Sequence, residues 1–233
     1  AWEGRKALVM SDLHLGHVNG HGFAKRIAKI VRNLQPDIVF LPGDLFDGSR
    51  IDPYRAAEPL FRLNVPLGVY FSEGNHEDYG DVAAYNRAVR KGGFHVLNSE
   101  AVDVEGVRVI GVPYSQTTAP VQHRTFLESL SLAPGTPSIL LNHVPNLLAI
   151  AEKTGVSLQL SGHTHGGQVF PFTLLTHRMF KQYTHGLSHL GRLQVLTSSG
   201  AGTWGPPMRV GSSPEVILIT FSAQNGIPNP KQV

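Results

Sequence analysis

The sequence predicts an α/β protein: two mixed β-sheets packed face to face, with helices outside, in a single domain spanning residues 1–233. Three observations predict it. Short apolar runs of buried-strand type alternate with amphipathic stretches through the first half, the pattern of parallel strands joined by helices. The second half is richer in strand-like segments and carries a hairpin signature, which adds antiparallel strands. Hydrophobic residues make up 41% of the chain, enough for a large core and against disorder.

The elements follow in order. Residues 6–12 (KALVMSD) read as a first strand, and 22–34 place Phe23, Ile27, Ile30, Val31 and Leu34 at helical spacing. A second strand over 36–44 stops at Pro42-Gly43. A helix over 54–63 is bent or interrupted at Pro59. A third strand covers 66–77, and a helix over 81–93 ends on glycine. Residues 101–113 read as a hairpin turning at Glu105-Gly106. A helix around 123–130, a strand over 137–145, a helix near 146–154 and a short strand over 157–161 come next. The last strands are expected at 193–198 and 215–221. The segment 169–187 admits two readings. Phe170, Phe172, Leu174, Leu175, Met179 and Phe180 can form a core-facing strand and helix. They can also form an amphipathic lip edged by Arg178 and Lys181, of the kind that lies in a membrane interface or receives an acyl chain.

Composition narrows the function. Lys and Arg total 20 and Asp and Glu 17, so the net charge of +3 does not argue for nucleic acid. There is no cysteine, which excludes disulfides and thiolate metal sites; any metal must be held by His, Asp, Glu or Asn. No stretch approaches the roughly 18 apolar residues of a membrane span. The chain starts without Met and enters a strand almost at once, like a domain cut from a longer protein; an N-terminal anchor in that protein stays open.

Five strand-like segments end in polar clusters: SDLH (11–14), GDLFD (43–47), GNHE (74–77), NHVP (142–145) and SGHTH (161–165). In α/β sheets, loops past the carboxyl ends of strands are where ligands bind. Each cluster alone is a common turn sequence. Together they put carboxylates, an amide and imidazoles on one sheet edge, a donor set suited to Mn, Fe or Zn. The steps Asp12-x-His14 and His163-x-His165 would let both residues of a pair reach one site from an extended segment.

The ordered series Asp12-x-His14, Gly43-Asp44, Gly74-Asn75-His76-Glu77, His143 and Gly162-His163-x-His165 resembles the calcineurin-like metallophosphoesterase superfamily. The tail over 198–220, with GHTHGGQVFPF, resembles a subgroup of often membrane-anchored phosphodiesterases and UDP-diacylglucosamine pyrophosphatase-like enzymes. The resemblance implies a four-layer αββα sandwich and two divalent metal ions. One would be held by Asp12, His14, Asp44 and His165, the other by Asp44, Asn75, His143 and His163, with Asp44 as bridge. It further implies attack on phosphorus by a metal-bound hydroxide, with His76 assisting the leaving group and Asp47 orienting His76. Glu77 reads as a structural hydrogen-bonding residue. Family protein phosphatases carry Arg directly after that Asp; here Gly48 stands there and Arg50 follows two positions on, which points to phosphodiester or pyrophosphate substrates, lipid-linked ones included. A nuclease on the same centre and a metal-binding pseudoenzyme are the competing readings. His123 reads as a surface or packing residue, and Trp204 and Arg209 as part of a tail that could fold back over the metals.

Overall fold

The computed structural model describes residues 2–222. Its first sheet takes β1 (Lys6–Val9), β2 (Ile38–Pro42), β3 (Val69–Ser72) and β4 (His95–Val96), all parallel, and closes on an antiparallel β11 (Ile217–Thr220). The second sheet runs in the order β5 (Glu100–Val104), β6 (Val107–Gly111), β7 (Ser138–Leu141), β8 (Leu158–Ser161), β10 (Leu193–Thr197) and β9 (Gly186–Leu190). Its central strands are parallel and both edges antiparallel. The chain end thus crosses back to the first sheet, with Lys6 opposite Thr220.

Strand periodicity builds the layers. Alternate side chains point to opposite faces. Ala7, Val9, Ile38 and Phe40 meet Val109, Ile139, Leu141 and Leu160 between the sheets. Leu8, Val39, Leu41 and Phe71 face outward into a core with Ile27 and Val31 of α1 (His21–Leu34), Leu60 of α2 (Pro53–Phe61) and Val89 of α4 (Val82–Lys91). On the far side, Ile110, Leu140 and Val195 pack against Leu127 of α6 (Pro120–Ser129) and Leu148 and Ala151 of α7 (Leu148–Lys153). Three apolar cores between four layers form the αββα sandwich.

Local chemistry sets the ends. Asp52 caps α2 by accepting the Arg55 N–H at 3.1 Å, and Asp81 caps α4 through Ala84 at 2.8 Å. Pro59 lies inside α2 without ending it. The hairpin turns at Glu105-Gly106, with Val104 opposite Val107. Three differences from the expected elements stand out. The third strand ends at Ser72, and Asn75–Asp78 forms a helical turn, α3. The strands β4 and β9, and the short α5 (Tyr114–Thr117), were not legible. The segment after residue 169 is α8 (Phe172–Phe180), and none of its residues is buried, which removes the core-facing reading.

Candidate metal centre

The loops past β1, β2, β3, β7 and β8 converge on one edge of the sandwich, three from one sheet and two from the other. Main-chain pairing continues beyond the strands. The His14 N–H donates to the Asp44 carbonyl at 3.0 Å and Leu15 to Leu45 at 2.8 Å, locking the first two loops together. Asp12, His14, Asp44, Asn75, His143 and His165 are buried; His163, His76 and Asp47 are half-buried.

The side chains meet. His14 Nε2 lies 3.0 Å from His165 Nε2, and His165 Nε2 lies 3.2 Å from Asp12 Oδ1. Asp44 Oδ2 lies 3.7 Å from His14 Nε2 and 3.2 Å from His143 Nε2. Asn75 Oδ1 is shared between His143 Nε2 at 3.1 Å and His163 Nδ1 at 2.9 Å. Asp44 therefore stands between two groups of donors. Ligand-type atoms of Asp12, His14 and His165, and likewise of Asp12, Asp44 and His143, lie within 4.8 Å of one another. So do those of His14, Asp44 and His76.

The surroundings aim these atoms. His143 Nδ1 donates to the Pro42 carbonyl at 2.8 Å, so Nε2 is the nitrogen turned inward. The His163 N–H donates to Asp12 Oδ1 at 3.0 Å, and the His76 N–H to Asp44 Oδ1 at 2.9 Å. Glu77, fully buried, accepts the N–H groups of Asp44, Phe46 and Gly74 at 2.9, 2.9 and 2.7 Å. It is a structural brace, as its sequence suggests. Burial, then the Asp44 charge, pushes its pKa up to about 8 against the pull of those amides. Gly74 has no substitute, because a Cβ there would overlap the Asp44 carboxylate.

The expected extended geometry of the two His-containing steps is absent. Asp12, His14, His163 and His165 all have positive φ, from 47° to 70°. Pairs reach one site because left-handed residues alternate with others, not because a strand continues. Asp47 also differs in detail. His76 Nδ1 donates to the Asp47 main-chain carbonyl at 3.0 Å, while the Asp47 carboxylate accepts the Ser49 N–H at 2.9 Å.

These residues fit cations on three counts. Two inward imidazole nitrogens 3.0 Å apart can share only one proton between them, and the buried Nδ1 of His14 has no hydrogen-bond partner. Burial pushes His14 down to about 3 and His163 down to about 4, so both are neutral, the state that binds metal. Burial would raise Asp12 and Asp44, but the neighbouring His165 and His143 hold both carboxyls below their ordinary range. His143 alone departs. Burial lowers it, yet the Asp44 charge and hydrogen bond outweigh this and raise it to about 10, a proton that a cation would displace.

A family model described as calcineurin-like phosphoesterase matches residues 5–167. The chain belongs to this family. This calcineurin-like phosphoesterase is 34% identical, over 94% of its length, to an uncharacterized metallophosphoesterase of Aquifex aeolicus, of which it spans 85%. It is 31% identical to one of Helicobacter pylori and 32% identical to a Danio rerio transmembrane protein with metallophosphoesterase domain. It spans 60% and 53% of those two relatives. Among solved structures, the fold is shared with the Plasmodium GAP50 anchor of the inner membrane complex at a TM-score of 0.54 and 14% identity. That match covers 94% of this chain and 81% of the other. As a family member the chain is a metal-dependent phosphoesterase, and the family implies divalent metal ions. No helix among the described residues is long and apolar enough to cross a membrane.

Two residues hold the tail beside the centre: Gln168, which the sequence did not single out, and Arg209, which it placed in a tail able to fold back over the metals. Gln168, buried with φ of 48°, holds the tail: its Nε2 donates to the Trp204 carbonyl at 2.9 Å and its Oε1 accepts the Trp204 N–H at 3.2 Å. Arg209 donates to the carbonyls of Ser199, Gly200, Gly202 and His165 at 2.8, 3.1, 2.6 and 3.2 Å. The tail does fold back, with Val169 bridged to Val210. A polar residue directly after a glycine turn, and a lone Arg in a Gly/Pro-rich stretch, were the available signals.

Proposed function

We propose that this phosphoesterase is a dinuclear hydrolase of phosphodiester or pyrophosphate bonds. One observation carries the reading: carboxylate, amide and imidazole donors from two sheets meet around Asp44, with no thiolate in the chain. In this reading Asp12, His14, Asp44 and His165 hold one cation, and Asp44, Asn75, His143 and His163 the other. The donor set accommodates Mn, Fe or Zn. When bound, such a pair supplies a water acidic enough to attack phosphorus near neutral pH and offsets charge on the phosphoryl oxygens.

The chain does the rest. His76 Nδ1 is committed to the Asp47 carbonyl, so Nε2 is the nitrogen that carries and gives up a proton, suited to a departing oxygen. Asp47 orients it through the main chain, and its own carboxylate fixes the Ser49 turn. Gly48 supports diester or pyrophosphate substrates. With φ of 82°, and with the His76 carbonyl 2.9 Å from where a Cβ would lie, the position does not accept the arginine that grips a monoester. Arg50 is exposed, and the described residues lining the cleft at the centre include no Arg or Lys. A lipid-linked substrate fits the same reading, and membrane association of a longer protein would match the name of the Danio rerio relative.

The test is elemental analysis of the purified chain with turnover of aryl phosphomonoesters, phosphodiesters and pyrophosphates, before and after chelation. Expected are about two ions per chain, loss of turnover on chelation, recovery with Mn or Zn, and preference for diester or pyrophosphate. Turnover that survives complete metal removal would sink the reading.

A further inference from the structure

The helix α8 is amphipathic but has no core to face. Phe172, Leu175, Thr176 and Met179 follow the i, i+3, i+4, i+7 spacing that ordinarily seals a helix against its protein. Here that stripe lines a cleft of about 590 Å³. Phe172, Leu175 and Met179 are 62%, 53% and 65% exposed. The opposite wall is Trp204, Pro206 and Met208, on the loop that Gln168 holds. The floor is the candidate metal centre itself, with Asn75, His76, His163 and His165 in the lining. The walls touch the floor: the Phe180 ring stands edge-on 6.1 Å from His163, and the Trp204 ring lies 6.1 Å from His76.

An occupant of this cleft must present a phosphoester at the floor and an apolar body along the walls. We propose that the cleft seats the hydrocarbon tail of the substrate. The enzyme then acts on amphiphiles in which the scissile phosphodiester or pyrophosphate carries an alkyl or acyl chain running between α8 and residues 204–208. This rests on the hydrolase reading above. The volume falls in the range of roughly 300–1,000 Å³ that encloses ligands of such size. An apolar wall that continues from reacting groups, with no cation along it, selects a tail over a polar headgroup. A flat membrane surface would instead be met by Phe170, Leu174 and Val210, which are exposed but do not line the cleft.

The experiment uses the full chain loaded with Mn or Zn and a series of alkyl aryl phosphodiesters, methyl to octyl, each below its aggregation concentration. Burial of each added methylene should raise kcat/KM by about fourfold until the cleft is filled. The double variant Phe172→Ser/Leu175→Ser, at exposed positions, and Thr176→Trp, which obstructs the cleft, should both flatten the dependence. It is read as the octyl-to-methyl ratio, so a general loss of activity cancels. Calorimetric binding of octylphosphonate against methylphosphonate gives a readout without turnover: the octyl compound should bind more tightly, and the variants should lose the difference. A flat chain-length dependence in the unaltered chain overturns the tail site and leaves the hydrolase reading standing. Failure to hydrolyse any diester of the series, and any pyrophosphate of the screen above, under either metal overturns the hydrolase reading, and the phosphonate pair then decides the tail site alone. A rise seen only with aggregates or vesicles assigns the wall to a membrane surface and overturns the proposal.

Discussion

Asp12, His14, Asp44, His163 and His165 all hold left-handed backbone, a region that costs an L side chain about 1 kcal/mol or more each. Amide donors to Glu77, Asp12 and Asp44 offset that strain and hold the donors inward. Different residues should therefore fail differently. Asp44→Ala should lose bound metal and turnover together. His76→Asn should keep full metal content while kcat falls about 10²- to 10⁴-fold, the share of a general acid. Asp47→Asn should cost less than about tenfold, since the carbonyl that holds His76 stays; a loss as large as that of His76→Asn, at equal stability, would show that the carboxylate acts directly. Away from the site, His123 is buried with neither ring nitrogen bonded, and burial pushes its pKa down to about 4. An unfolded histidine titrates near 6.5. Between those values the unfolded chain binds a proton that the folded chain does not. Stability is thus complete above about pH 6.5 and declines by about 1.4 kcal/mol per pH unit as pH falls towards about 4. In His123→Leu the urea midpoint should change less between pH 7.5 and 5 than in the unaltered chain.

Among elements, the tail loop hangs on a single side chain. Arg209 donates to four carbonyls, including that of His165. Arg209→Ala should lower kcat/KM by about tenfold or more and shift Trp204 emission, and Arg209→Lys should not rescue it, because an ammonium cannot reproduce the planar fork. Unchanged fluorescence and kinetics would show that the loop holds itself. What could be read of the elements depended on whether the deciding contact is local. The hairpin was legible because Glu105-Gly106 carries its own turn geometry, with φ of 43° and 82°. The strand β4 is two residues long, and β9 (GLSHL) is defined by pairing to β10, information that lies elsewhere in the chain. Residues 172–180 displayed their stripe openly, yet a stripe does not say what faces it. The residue types that meet at the candidate centre, and their order, were legible, whereas the left-handed backbone that aims them was not.

At the scale of the molecule, the candidate metal centre joins two sheets whose facing strands pack through apolar side chains in the middle layer. Ions bound there should stabilise the folded state by about 2.7 kcal/mol at a free concentration of 100 Kd. Chelation should lower the thermal midpoint, and restored metal should return it. An unmoved midpoint would mean that the donors do not hold metal in the folded chain. Asp12, Asp44 and Asn75 come from the first sheet, and His143, His163 and His165 from the second.

The middle layer therefore works as a spacer, and in the proposed dinuclear reading its thickness would set the gauge of the coordination sites. Phe40 and Ile139 are not among the donors, yet they pack between the sheets that carry the two banks. Trimming Ile139→Ala should alter which ion the centre prefers, with every ligand left in place. Competition titration of Mn against Zn reads that preference directly. A shifted preference would make metal choice in this scaffold partly a property of hydrocarbon packing, open to tuning from the interior as well as from the ligands; an unshifted one would leave it to the ligands alone.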